Sequence, residues 1–394
     1  MDKVDLIKQR KITILKVLHL ASFSGNIGDN ASHIGLYTIL RKLGVYAEYT
    51  QLEIRDYYQN AEPPFQKFFD KRFVEQCNLF DLIIWGGGAY LDFWLPNSST
   101  GTTFNISLEL LNEIKKPLLI TSVGCITGKK IPVGNTEKFE AFLNYCAKSQ
   151  RVQIMFRNDG SKVHIERQFG AGLASHFHQI LDNGFYYLPK LRTNLPAKRE
   201  YVALNIAFDQ ILETGPGAMV SDVENYLANF GELIQYFMLT MNLDVCLVPH
   251  VSGDLRAINK LLQLIPDKFI RNQIMVAPFL TGQDGADFLF DVYANASLVI
   301  GNRFHTNVCA LAMGKRTIGL SALSRISHIY KSVQLDKYCV NIDENWILKT
   351  KELSLELLAK SAKKHQEELI QAIAPLRRYS INCYKENLEK LSLL

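Results

Sequence analysis

Short, continuously apolar runs recur along this chain, and each is followed by turn residues and then by an amphipathic helical stretch. Ile83-Ile84-Trp85 running into Gly86-Gly87-Gly88 is the clearest case. A strand covered on both faces reads as an unbroken apolar run, and parallel strands need helical crossovers between them. The pattern therefore predicts βα units on parallel sheets. Strands are expected at Ile12–Leu20, Ala47–Leu52, Leu82–Trp85, Leu118–Ser122 and Gln153–Phe156, then at Val202–Ile206, Asp244–Val248, Ile274–Ala277, Leu298–Ile300 and Thr317–Leu320. Helices are expected at Ala31–Leu43, Phe65–Cys77, Ser107–Ile114, Ser221–Met241 and His305–Met313. Tyr187–Arg199 has two prolines, four Lys/Arg and no apolar period, and reads as a linker. It divides the chain into expected domains over 12–190 and 200–374. Residues 375–394 form a helical tail expected to pack back on the first domain. Pro375 is expected to end or kink the helix around it.

At 394 residues, 47% hydrophobic and 21% charged, the chain can bury a substantial core, and disorder as its main state is excluded. Lys plus Arg is 44 against 39 Asp plus Glu, a net +5 without the concentrated basic stripe of a nucleic-acid binder. That balance permits an anionic substrate. The seven cysteines include no Cys-x-x-Cys pair and read as buried small hydrophobes in a reducing cytoplasm. Asp2, Asp5 and Lys16 do not fit a signal peptide, and no run reaches the ~18 apolar residues of a membrane span. A soluble cytoplasmic protein is expected, with at most a peripheral contact at the inner face of the cell membrane.

Four segments could carry chemistry. Ser24-Gly25-Asn26-Ile27-Gly28-Asp29-Asn30 joins a strand to a helix, where glycines admit a ligand to the backbone and the first helical turn attracts an anion. The same residues also fit a tight turn with Asp29 or Asn30 as helix cap. Gly86-Gly87-Gly88 puts bare backbone at the carboxyl end of a parallel strand, the place where ligands bind in open α/β sheets. Close strand–helix packing is the competing reading. In Gly301-Asn302-Arg303-Phe304-His305 an arginine and a histidine leave a strand and open a helix. A guanidinium there can hold a carboxylate or phosphate bidentately, and an imidazole can exchange a proton near neutral pH. Arg157 is a further cation at a strand end, with Asp159 as a surface partner in the plainer reading. His250 is expected to face a second-domain cleft, while His176 and His178 read as structural. No metal-ligand spacing appears, so no metal is expected.

In this order the motifs resemble the polysaccharide pyruvyl transferase family. Gly25-Asn26-Ile27-Gly28-Asp29, the strand with Gly86-Gly87-Gly88, Arg157-x-x-x-Ser161, and Gly301-x-Arg303-x-His305 with Ala310 and Gly314 carry the resemblance, over about Val17 to Ile342. It implies two Rossmann-like domains facing a cleft, as in GT-B glycosyltransferases. The implied reaction moves the enolpyruvyl-derived unit of phosphoenolpyruvate onto a saccharide or a lipid-linked oligosaccharide, forming a pyruvate ketal, with no cofactor. The family commonly has a Tyr, and a Lys three residues on, where Ala322 and Arg325 stand here. A donor with a carboxylate and a phosphate needs several cations, and Arg157, Arg303 and Arg325 are the candidates. His305 is the candidate acid for the vinyl carbon. Asp29 is either the base for the sugar hydroxyl or a helix cap, with the cap preferred. The substrate-binding set is completed by Gly25, Asn26, Gly28, Gly86, Gly87 and Gly88. A GT-B glycosyltransferase using a nucleotide sugar, and a non-catalytic sugar- or phosphate-binding protein, are the alternatives. Homo-oligomerisation is left open.

Overall fold

Two six-stranded parallel sheets frame the chain, in a computed structural model that describes residues 13–125, 130–190, 197, 199–207, 209 and 223–394. The first holds β1 (Ile14–Ala21), β2 (Tyr46–Glu53), β3 (Leu82–Gly86), β4 (Leu118–Val123), β5 (Val152–Arg157) and β6 (His178–Ile180), ordered β2-β1-β3-β4-β5-β6. The second holds β7 (Tyr201–Asn205), β8 (Asp244–Leu247), β9 (Ile274–Val276), β10 (Leu298–Gly301), β11 (Thr317–Ser321) and β12 (Cys339–Asn341), ordered β12-β11-β10-β7-β8-β9. The chain direction across the sheet reverses between β1 and β3, and again between β7 and β10. Such switch points open a crevice at the carboxyl ends of the strands, and the chain has one on each half.

Period-2 alternation sends successive strand residues to opposite faces. Leu18 and Leu20 of β1, with Ile83 and Trp85 of β3, join a core on the outer face of the first sheet. Val17, Leu82 and Ile84 face the other way, into a core that continues through the second half. The helix Ile27–Lys42 lies between, burying Ile27, Ala31, Leu36, Ile39 and Leu40 and packing on the helix Gly282–Asn295 of the second half. Its Gly35 sits where a Cβ would come within 1.9 Å of the Asn183 carbonyl oxygen, so only glycine lets the helix approach the Asn183–Tyr186 turn this closely.

Several expectations are corrected. The helix expected from Phe65 begins at Lys71, because Asp70 caps it by accepting from the Phe73 N–H at 3.0 Å. Pro375 does not end its helix, which runs unbroken over Ala362–Lys390. The missing N–H forfeits one backbone bond, and burial of Leu369, Ile373, Cys383, Tyr384 and Leu388 offsets that loss. Residues 191–196 and 198 of the expected linker, and Ser221 and Asp222 of the expected helix, lie outside the described residues. No described helix is long and apolar enough to cross a membrane.

Candidate active site

A cleft of about 370 Å³ opens between the two halves, lined from one side by Ser22, Asn26, Asp29 and Tyr90 and from the other by His250, Arg303 and His305. It lies at both switch points. The turn after β1 is fixed by Glu53, whose carboxylate accepts from the Phe23 N–H at 2.9 Å, the Ser24 N–H at 2.8 Å and the Arg55 N–H at 3.2 Å. Gly25 has φ +100°, a conformation that L side chains rarely adopt, and the Arg55 guanidinium lies over it, 3.1 Å from where a Cβ would stand. Asn26, not Asp29 or Asn30, caps the following helix, accepting from the Gly28 N–H at 3.0 Å. That corrects the preferred reading of Asp29. Its carboxylate instead stands in the first turn, on the cleft wall, near the positive end of the helix.

Of the three consecutive glycines only Gly88 lines the cleft, beside Ala89 and Tyr90. Gly86 and Gly87 lie behind it, where a Cβ would meet the Thr121 carbonyl oxygen and the His33 ring respectively. Packing, rather than ligand approach, accounts for those two.

Arg303 is the N-cap residue of the helix Phe304–Ala312. Its guanidinium is already engaged: Nε donates to Asp254 Oδ2 at 2.7 Å, and Nη2 donates to Asp254 Oδ1 at 2.5 Å and to Asp209 Oδ1 at 2.6 Å. Burial would lower its pKa, but Asp254 and Asp209 outweigh burial and raise it. Asp254 is fully buried and also accepts from the His250 N–H at 2.9 Å, whereas the Asp209 side chain is 63% exposed. The expectation of an arginine fork open to substrate is thus corrected: its inner edge is closed by a buried carboxylate, and its outer edge meets an exposed one. Arg157 is buried as well. Its Nε donates to Asp159 Oδ2 at 2.6 Å, Nη1 lies 3.9 Å from Asp182 Oδ2, and the guanidinium sits 4.2 Å over the Phe304 ring. The surface ion pair of the plainer reading is therefore a buried one. Arg325 lines the cleft from the helix Ser324–Ser332.

His305 connects the halves. Gly28 gives it space, since a Cβ there would lie 2.5 Å from that of His305. The imidazole Nδ1 is 3.7 Å from Asp29 Oδ1, and Nε2 is 3.4 Å from Asp182 Oδ1. His250 also lines the cleft; its Nε2 meets the Tyr293 hydroxyl at 2.8 Å and that of Thr306 at 3.1 Å. Burial, and then Arg303 and His305, push its pKa well below 6.5, which keeps it neutral. His178 lies half-buried in β6 and His176 is exposed, both away from the cleft.

Sequence reasoning missed Asp182, Asp209, Arg55, Tyr58 and Tyr90, and saw Asp254 only as a neighbour of His250. Asp182-Asn183-Gly184 carries turn chemistry, which hides a buried carboxylate behind a surface pattern. Asp254 stands four residues from His250, and that spacing was its only signal. Among the described residues no three His, Cys, Asp or Glu side chains gather as metal ligands would.

The fold has counterparts among solved structures. Solved structures similar to the chain include a glycosyltransferase from Rickettsia africae ESF-5, at 12% identity and TM-score 0.55, covering 95% of this chain and 99% of that one. MnaA of S. aureus, in a co-structure with UDP, matches at 9% identity and TM-score 0.55 over 97% and 98% of the two chains. A UDP-GlcNAc 2-epimerase from Methanocaldococcus jannaschii matches at 10% identity and TM-score 0.52 over 91% and 99%. At these identities the likeness concerns the fold, which is the GT-B arrangement of two Rossmann-like halves. No curated protein matches the sequence. The family model for polysaccharide pyruvyl transferase matches residues 26–324, from the capping Asn26 through the Arg303–His305 turn, and the chain belongs to that family.

Proposed function

We propose that this transferase takes phosphoenolpyruvate as donor and forms a pyruvate ketal on a saccharide or lipid-linked oligosaccharide. The observation that carries the reading is the meeting of His305 with Asp29 across the joint, in a cleft that also holds Arg303 and Arg325. A donor bearing a phosphate and a carboxylate matches the cations Arg157, Arg303 and Arg325, since charge-assisted pairs to planar oxyanions are the strong ones. His305 gives a proton to the vinyl carbon. The adjacent carbon becomes oxocarbenium-like, a sugar hydroxyl attacks it, the C–O bond to phosphate breaks, and a second hydroxyl closes the ketal. One hydroxyl proton replaces the one given by His305, and the other leaves with the phosphate. Asp29, on the cleft wall, takes the first hydroxyl proton. No cofactor enters this sequence of steps.

The test is incubation with phosphoenolpyruvate and a panel of nitrophenyl and lipid-linked sugars, followed by mass spectrometry and phosphate release. A pyruvyl ketal adduct with stoichiometric phosphate is expected. Transfer of a sugar from a nucleotide donor, with none from phosphoenolpyruvate, would overturn the reading in favour of a glycosyltransferase.

A further inference from the structure

Asp182 follows β6 and is fully buried, and donors converge on it from both halves of the molecule. Ser122 Oγ–H donates to its Oδ2 at 3.0 Å and the Gly184 N–H to its Oδ1 at 2.8 Å. Arg157 Nη1 stands 3.9 Å from Oδ2, and His305 Nε2, buried and without a hydrogen-bond partner, stands 3.4 Å from Oδ1 at ion-pair distance. Burial opposes its ionisation, but His305, Arg157 and the Gly184 N–H prevail and hold the carboxyl at about 2, so it is charged at neutral pH. A buried carboxylate costs several kcal/mol unless it is paired and hydrogen-bonded, as this one is.

We propose that Asp182 is the positioning residue for His305: its carboxylate takes the Nε2–H of the imidazole and leaves Nδ1 at the cleft as the nitrogen that exchanges the reaction's proton. The proposal rests on the reading of His305 as the acid. When Nδ1–H breaks and the vinyl C–H forms, the imidazolium becomes neutral and Asp182 stays ionised. The proton released by the attacking hydroxyl then restores the starting charge. Asp182 belongs to the first half and His305 to the second, so the imidazole takes its working orientation only where the halves dock. The other charged or titratable groups around the ring are Asp29 and His33 on the Ile27–Lys42 helix, Arg157 behind Phe304, and His250.

Two measurements test this. In ¹⁵N NMR of the histidine-labelled protein at alkaline pH, with His305 assigned by loss of its signals in His305→Gln, the neutral wild-type ring should show Nε2 as the nitrogen that keeps its proton. Asp182→Asn should shift that pattern. In kinetics, Asp182→Asn should lower kcat by about 10–100-fold, as loss of the partner that orients a working imidazole does, with KM for phosphoenolpyruvate unchanged. In a His305→Ala background the same change should cost less than about twofold, because residues acting as a unit are not additive. Ser122→Ala, which removes one donor to Asp182, should show a smaller loss that is also absorbed by His305→Ala, and it serves if Asp182→Asn fails to fold. An unchanged His305 signal, a kcat within twofold of wild type, or multiplicative losses in the double variant would each overturn the proposal. Failure of the wild type to use phosphoenolpyruvate would sink the functional reading instead, and the NMR result would still decide whether Asp182 fixes the imidazole.

Discussion

The Arg303–Asp254 pair shows why a single substitution at this site can mislead. Arg303→Ala leaves the fully buried Asp254 without its guanidinium, and breaking a buried pair costs about 3–5 kcal/mol. Urea unfolding of Arg303→Ala should therefore show a large loss of stability before any loss of donor binding is interpretable. The double variant Arg303→Met with Asp254→Leu removes both charges and should recover part of that stability, the rest being lost with the acceptor of the His250 N–H. Donor affinity measured on it should fall below wild type; affinity equal to wild type would remove Arg303 from the anion site. His305 allows a cleaner test. His305→Ala should lower turnover by about 10²–10⁴-fold, the usual range for a general acid, while phosphoenolpyruvate affinity changes little. His305→Gln keeps hydrogen-bonding capacity, so recovery of activity in it would mean that the ring only orients the phosphate. Near wild-type turnover in His305→Ala would refute the acid role.

Element by element, the strands were legible because strands buried on both faces carry their own signal. Leu82–Gly86 is apolar from end to end, Leu118–Val123 is so but for Thr121 and Ser122, both strands are buried throughout, and their expected bounds fall within a residue of the observed ones. The short edge strands His178–Ile180 and Cys339–Asn341 were missing from the expected strands because His178-Gln179 and Asn341 break the apolar run, whereas the equally short edge strand Ile274–Val276 is apolar throughout and was expected. The site was legible where it hung on glycine and cation motifs at strand ends. It was hidden where a carboxylate from one element neutralises a cation from another, because Asp182 and Asp254 reach their partners across 123 and 49 residues of sequence. Gly35 makes the dependence on element packing testable. Gly35→Ala forces its Cβ into the Asn183 carbonyl, one residue from Asp182, and overpacking of this kind costs typically 1–3 kcal/mol. The expected outcome is a lower melting temperature together with reduced turnover, although Gly35 is absent from the cleft lining. Full activity per folded molecule would show that the helix gives way without moving the Asp182 turn.

For the molecule as a whole, the joint between the halves is also where its acid sensitivity should originate. His19 on β1 and His33 on the adjoining helix lie in the first half, and His250 follows β8 in the second. Burial lowers the pKa of all three; His33 adds to the effect at His19, and Arg303 and His305 add to it at His250. These groups stay neutral in the fold but take up protons near 6.5 once unfolded, so the unfolded chain binds more protons as pH falls. The sign follows from that difference: stability is undiminished above about 6.5 and declines as pH drops below it. Each proton that only the unfolded chain takes up steepens this decline by at most about 1.4 kcal/mol per pH unit, and burial of His164, His178, His328 and His365 acts in the same direction. Asp182 contributes in a different window. Its stabilisation is present above its ordinary value of 3.8 and disappears only as pH falls toward about 2, so it is not what fails first. Urea unfolding at pH 7.5, 6 and 5 should therefore show a steep fall already between 6.5 and 5. His19→Gln, which removes one of these protons, should flatten that slope relative to the wild type. Equal stability at pH 7.5 and 5 would mean that the buried imidazoles accept protons in the folded state, and that the docked halves admit water to the layer beneath the cleft.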